Sequence, residues 1–76
     1  MNNYIDCMEY IEPLEKIRHQ FRPSSYRFMI AESLVYYFSS RDSSLTIIQN
    51  NTNRVLRHYN IAPVSLGFVR NVLGRR

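Results

Sequence analysis

The sequence predicts an all-α fold: a small bundle of four to five helices in a single domain that covers residues 1–76. Apolar residues recur at spacings of three and four along most of the chain, which is the period of an amphipathic helix. Prolines and short hydroxyl side chains stand where such helices would begin or end. Hydrophobic residues make up 45% of the chain, a fraction that indicates a folded domain rather than a disordered one.

Two helices are predicted in the N-terminal part, an acidic one over residues 3–11 and a second over residues 13–22. The first has apolar side chains at helical spacing: Tyr4, Ile5, Met8 and Ile11. Pro13 interrupts this pattern, because its ring clashes with the carbonyl four residues earlier, and it suits the first position of a new helix. We expect Pro23 to end the second helix. One continuous helix, kinked at Pro13, is the alternative.

A central helix is predicted over residues 25–39. Ser24 or Ser25 is its expected N-cap, because a hydroxyl can accept a hydrogen bond from a free N–H of the first turn. Its apolar side chains cover roughly half of the helix circumference at 100° per residue. They are Phe28, Ile30, Ala31, Leu34, Val35, Tyr37 and Phe38. A face this wide is typical of a helix that contacts several neighbours.

The next helix is predicted over residues 44–59. Three residues can cap it: Asp42, Ser43 and Ser44. Its apolar face is narrower and consists of Leu45, Ile48, Thr52, Val55, Leu56 and Tyr59. Ile47 lies outside that face. Residues 45–48 alone would also suit a β-strand, since β-branched side chains favour strands, but the continuation of the face to Tyr59 favours a helix.

The last helix is predicted over residues 63–73, with Pro63 at its first position and a basic tail over residues 74–76. Asn60 is expected to end the preceding helix in the left-handed conformation, and Gly74 to end the last one. This helix would bury its apolar residues: Leu66, Phe68, Val69, Val72 and Leu73.

The last two helices can be fitted to a helix-turn-helix over residues 52–69, with Ile61 buried in the turn. Leu56 argues against this fit, because the crossing of the two helices favours a small residue there. The second helix also offers few groups that could contact base edges: Ser65, Arg70 and Asn71. The sequence therefore predicts a hairpin that is only similar to a helix-turn-helix.

Catalysis is not expected, because the chain lacks the converging polar groups that an active site requires. Cys7, His19 and His58 do not have the spacing of zinc ligands. Gly67 and Gly74 are the only glycines, so no phosphate-binding loop can be drawn. We expect no cofactor, no metal and no small-molecule substrate. One cysteine allows no internal disulfide, and neither a secretory signal nor a membrane span is evident, so a cytoplasmic, intracellular protein is expected.

The charge is distributed unevenly along the chain. Residues 1–15 contain four acids and no base, whereas residues 16–76 contain ten bases and two acids. No acid follows Asp42, and nine of the ten bases are arginine. The guanidinium group presents a fork of donors that matches phosphate and guanine edges. This pattern predicts a small DNA-binding regulator of transcription that acts as a homodimer.

The residues expected to contact DNA are Asn50, Asn53, Arg54, Arg57, Ser65, Arg70, Asn71, Arg75 and Arg76. The alternative is an adaptor or inhibitor that binds another protein through apolar helix faces, with no role in nucleic-acid binding. Its exposed contacts would be Met29, Tyr36 and Ile47. A further alternative is stacking of single-stranded bases on aromatic side chains: Tyr26, Tyr36, Tyr37 and Phe38. Their helical spacing favours core packing instead.

Overall fold

The computed structural model of the protein describes residues 11–74 and confirms the all-α fold. The helices in this part of the chain are α1 at residues 11–16, a 3-10 helix at Arg18–Gln20, α2 at Pro23–Ser39, α3 at Leu45–His58 and α4 at Leu66–Gly74. Helices α2, α3 and α4 all contact one another and form the bundle. Residues 45–48 belong to α3, and no strand occurs within residues 11–74. None of the helices there combines the length and apolar character that crossing a bilayer requires.

The N-terminal helices differ from the expected pair. Apart from residue 11, the predicted helix over residues 3–11 lies outside the described residues. Helix α1 runs through Pro13 without a break at that position, and the helix predicted over residues 13–22 leaves the α conformation after residue 16. Arg22 is extended, with φ −65° and ψ 142°, because a following proline disfavours helical dihedrals. Pro23 therefore begins a helix rather than ending one.

Helix α2 is the centre of the bundle. Pro23 occupies its first turn and Arg22 is its N-cap residue, so neither Ser24 nor Ser25 caps it. A proline suits this position because its missing N–H would have had no helical partner. Six of its side chains are buried: Tyr26, Ile30, Ala31, Leu34, Val35 and Phe38. The expected face included Phe28, which is 42% exposed.

Both ends of α3 are held by local hydrogen bonds. The Oγ of Ser44 accepts the N–H of Ile47 at 3.4 Å, so Ser44 is the cap among the three candidates. At the other end Asn60 has φ 59°, the predicted left-handed conformation. The N–H of Asn60 donates to the Arg57 carbonyl at 3.1 Å, and the N–H of Ile61 donates to the Leu56 carbonyl at 2.8 Å. This pair of bonds is a Schellman motif, which stops the helix and turns the chain.

Helix α4 begins three residues later than expected, at Leu66 rather than at Pro63. Ser65 caps it, because its Oγ accepts the N–H of Phe68 at 3.1 Å. Residues 59–65 therefore connect α3 to α4. A helix-turn-helix uses a turn of about three or four residues, so with this longer connection the helix-turn-helix assignment stays a prediction.

Candidate nucleic-acid interface

The exposed residues of α3 form one continuous surface, which we call the α3 stripe. At 100° per residue they fall within an arc of about 120°. They are Thr46, Ile47, Asn50, Arg54, Arg57 and His58. From the first to the last, the stripe extends about 18 Å at a rise of about 1.5 Å per residue. Hence three of the predicted DNA contacts, Asn50, Arg54 and Arg57, share one exposed surface with Ile47.

Asn53 does not belong to this surface, which corrects the sequence-based assignment. Its side chain is only 8% exposed. The Oδ1 atom of Asn53 accepts the N–H of Val64 at 2.7 Å, and its Nδ2 atom donates to the Val64 carbonyl at 3.0 Å. Gln49 donates a second hydrogen bond to the same carbonyl at 3.2 Å. Asn53 thus fastens the connection to α3, and its amide is not available to a base.

Helix α2 also provides hydrogen bonds to the connection between α3 and α4. The guanidinium group of Arg27 donates to the carbonyls of Ala62 and Pro63, at 3.4 Å and 3.0 Å respectively. Together with the contacts of Asn53, these bonds occupy three successive carbonyls of the connection. The path of the chain into α4 is therefore set by side chains of two other helices, which explains why Pro63 lies outside the helix.

Helix α4 contributes less to the candidate interface. Its exposed positions are Gly67, Arg70, Asn71 and Gly74, so only two of them carry a polar side chain. Ser65 is exposed, but its hydroxyl oxygen caps the helix. Arg75 and Arg76 lie outside the described residues. Of the predicted contacts on α4 itself, Arg70 and Asn71 are both exposed.

The carboxylates of the described residues lie on other elements. They are Glu12, Glu15, Glu32 and Asp42, so residues 45–74 combine three arginines with no acid and carry a formal charge of +3. Two of these carboxylates are engaged in the fold: Glu15 is 3.4 Å from the Arg18 guanidinium group, and Asp42 accepts the N–H of Ser44 at 3.1 Å. A phosphate group near α3 or α4 would therefore meet no carboxylate on either helix.

Tyr26 links α1 to α2 through its contacts with Glu15 and Arg18. Its hydroxyl donates to a carboxylate oxygen of Glu15, and the guanidinium group of Arg18 lies 5.0 Å from the centre of its ring. Burial raises the pKa of the Tyr26 hydroxyl well above its ordinary value, and the hydrogen bond to Glu15 raises it further. Arg18 also donates to the Tyr59 carbonyl at 3.2 Å, which joins this cluster to the end of α3.

Two of the three predicted protein contacts are not exposed. Tyr36 is half-buried and its hydroxyl donates to the Val72 carbonyl of α4 at 3.3 Å. Met29 is half-buried against the core. Ile47 alone is well exposed, at 44%. The aromatic residues considered for base stacking are also unsuited to it, because Tyr26 and Phe38 are buried and the ring of Tyr37 is covered by Arg41, at 4.1 Å.

Sequence reasoning missed three other apolar side chains that the fold leaves exposed: Ile17, Phe21 and Phe28. Phe28 packs edge to face on Phe68, with ring centres 5.8 Å apart, and this joins α2 to α4. Phe21 stands between the 3-10 helix and α2, so a helical period could not place it. Together with Ile47, they are the large apolar side chains that remain exposed within residues 11–74.

No group of three or more histidine, cysteine or acidic side chains within residues 11–74 is arranged to hold a metal ion. Comparisons with protein-family models, with curated proteins and with solved structures found no match to this chain.

Proposed function

We propose that the protein binds duplex DNA through the α3 stripe, with Arg70 of α4 as an additional phosphate contact, and that it acts as a binding protein rather than an enzyme. One observation carries the proposal: the polar side chains of the stripe are cationic or neutral, and residues 45–74 contain no acid. Binding of arginine to phosphate releases condensed counterions, which supplies much of the affinity of proteins for DNA.

The dimensions of the stripe support the same proposal. The major groove of B-DNA is about 12 Å wide and admits an α-helix. Arg54 and Arg57 lie in the C-terminal half of α3, on the side that carries no core residue. An arginine can bind a phosphate with two parallel hydrogen bonds, which fixes orientation as well as affinity.

Salt dependence of duplex binding tests this proposal. Affinity for a short DNA duplex is measured by fluorescence anisotropy between about 50 and 200 mM salt, a range over which binding through phosphate contacts weakens steeply. The double variant Arg54→Ala/Arg57→Ala is compared with Lys16→Ala/Arg22→Ala, which removes two exposed charges from elements other than α3 and α4. Loss of two phosphate contacts makes the negative slope of log K against log salt shallower by about 1.8.

The expected result is that only the stripe variant shows this shallower slope. Absence of duplex binding at low salt would contradict the proposal. An equal loss in the two double variants would show that net charge, rather than the α3 stripe, determines binding. Thermal melts of both variants verify that the fold is unchanged, since the four substituted side chains are exposed.

The second candidate function is an adaptor or inhibitor that binds another protein. Its supporting observation is the exposed Phe28 beside Phe68, because aromatic side chains dominate the energetics of protein interfaces. The same surface is a candidate contact for the homodimer that the sequence predicts. Light scattering after gel filtration of the wild type and of Phe28→Asp tests the dimer contact. A monomeric wild type, or a dimer that survives the substitution, would contradict a dimer contact at Phe28.

A further inference from the structure

We propose that α3, rather than α4, is the helix that reads the base sequence, and that Ile47 determines specificity by contacting the 5-methyl group of a thymine. This inference rests on the proposed DNA binding. It assigns roles along the α3 stripe: Ile47 to thymine, Asn50 to adenine and Arg54 to guanine.

The comparison of the two exposed helix surfaces favours α3 as the reading helix. Helix α4 has nine residues, and two of its four exposed positions are glycines. Helix α3 has 14 residues and presents six exposed side chains in one arc. Base recognition requires several side chains that reach the groove at once, and phosphate contacts alone carry no sequence information.

The spacing and the residue types along the stripe suit contacts to base edges in the major groove. Ile47, Asn50 and Arg54 follow one another at intervals of three and four residues, which corresponds to about 4.5 Å and 6 Å along the helix axis. Each interval spans one to two base pairs, roughly 3.4 Å apiece. An asparagine amide pairs with the N6 and N7 edge of adenine, and a guanidinium group pairs with O6 and N7 of guanine.

Ile47 is the one large apolar side chain of the α3 stripe. Its side chain is 44% exposed, whereas the neighbouring Ile48 is buried in the core. The buried face of α3 therefore does not include Ile47. A single exposed isoleucine is common on protein surfaces. Its position is the informative feature, since it lies one turn before Asn50 on a surface that is otherwise polar. The major groove offers one apolar group to such a side chain, the methyl group of thymine.

Uracil substitution tests this assignment, because it removes only the methyl group. A binding sequence is first selected from random duplexes with the wild-type protein. Each thymine of the selected site is then replaced by uracil, and affinity is measured for wild type, Ile47→Ala and Ile17→Ala. Ile17→Ala is the matched control, since it truncates another exposed isoleucine, which lies outside α3.

We expect one uracil substitution to weaken binding of the wild type and of Ile17→Ala by about fourfold, as for the loss of one buried methyl group. The same substitution should leave the affinity of Ile47→Ala unchanged. A site without thymine, or an equal uracil effect in all three proteins, would overturn the assignment of Ile47 while DNA binding stands. Failure of the wild type to bind any duplex would instead overturn the proposed function itself.

Discussion

Truncation of Asn53 to alanine is expected to destabilise the protein strongly, because its amide is buried against the connection between α3 and α4. The substitution removes hydrogen bonds of 2.7 Å and 3.0 Å to Val64. Gln49 still donates to the Val64 carbonyl, so the Val64 N–H is the group left buried without an acceptor. A buried unpaired N–H costs about 1–3 kcal/mol and the other lost bond about 1 kcal/mol, which gives a total of about 2–4 kcal/mol.

Urea denaturation followed by circular dichroism measures this loss, and Asn50→Ala is the matched control. It is the same substitution on the same helix, one turn earlier, at an exposed position. Asn50→Ala should change the free energy of unfolding by less than about 0.5 kcal/mol. Gln49→Ala should fall between the two, because Asn53 continues to bind the Val64 carbonyl. Equal stabilities of Asn53→Ala and Asn50→Ala would refute the proposed role of the Asn53 contacts.

Three further predictions concern the interior and the helix ends. Thr52→Val should raise the free energy of unfolding by about 1 kcal/mol, because the buried Oγ1 of Thr52 has no hydrogen-bond partner within residues 11–74. Thermal melts measure this change, and a lower Tm for the variant would contradict the prediction. Asn60→Gly should be neutral or slightly stabilising in urea denaturation. Asn60→Val should lower the free energy of unfolding by about 1–2 kcal/mol, since the left-handed conformation of residue 60 penalises a branched side chain. Similar stabilities of the two variants would contradict this penalty. The raised pKa of Tyr26 favours the neutral form of its hydroxyl in the folded state. The contribution of this pKa shift to the free energy of unfolding is therefore complete below about pH 10 and is lost as the pH rises further. Denaturation between pH 8 and 11 should show a shallower decline for Tyr26→Phe than for the wild type, and identical declines would contradict the assignment.

The periodic spacing of apolar residues predicted the helices of the bundle, because burial of one face of a helix imposes that spacing. The apolar spacing of α3 distinguished a helix from a strand over residues 45–48, since a face that continues to Tyr59 has no counterpart in a strand. Asn60 was recognisable as a left-handed stop because few residue types tolerate that conformation. Both features depend on residues that are close in sequence, so local physical chemistry was sufficient.

The helix boundaries at the prolines could not be predicted from the local sequence alone. A proline excludes certain helix positions, but it leaves open on which side of it the helix lies. Pro23 was assigned to the end of one helix and opens another. Pro63 was assigned to the start of α4, yet it lies in the connection because the carbonyls around it bind side chains of α2 and α3. Such contacts join residues more than ten positions apart and leave no periodic signal.

The candidate site was predictable to the same extent. Asn50, Arg54 and Arg57 were correctly expected at the surface because they lie opposite the apolar face of α3. Asn53 is only about 40° around the helix from Arg57 at 100° per residue, so periodicity alone placed it on the same surface. The connection to α4 covers it, and the course of that connection is a tertiary feature. Tyr36 was misassigned for the same reason, since α4 supplies its hydrogen-bond acceptor.

The fastening of the connection by Asn53 has a consequence for how a lineage of such proteins would diversify. Exposed positions of the α3 stripe contribute little to the free energy of folding, so they can be exchanged at small cost. Position 53 cannot be exchanged in this way without loosening the path into α4. One helix thus has a side that tolerates mutation and a side that does not. Descendants could acquire new recognition preferences by point mutation on an unchanged backbone.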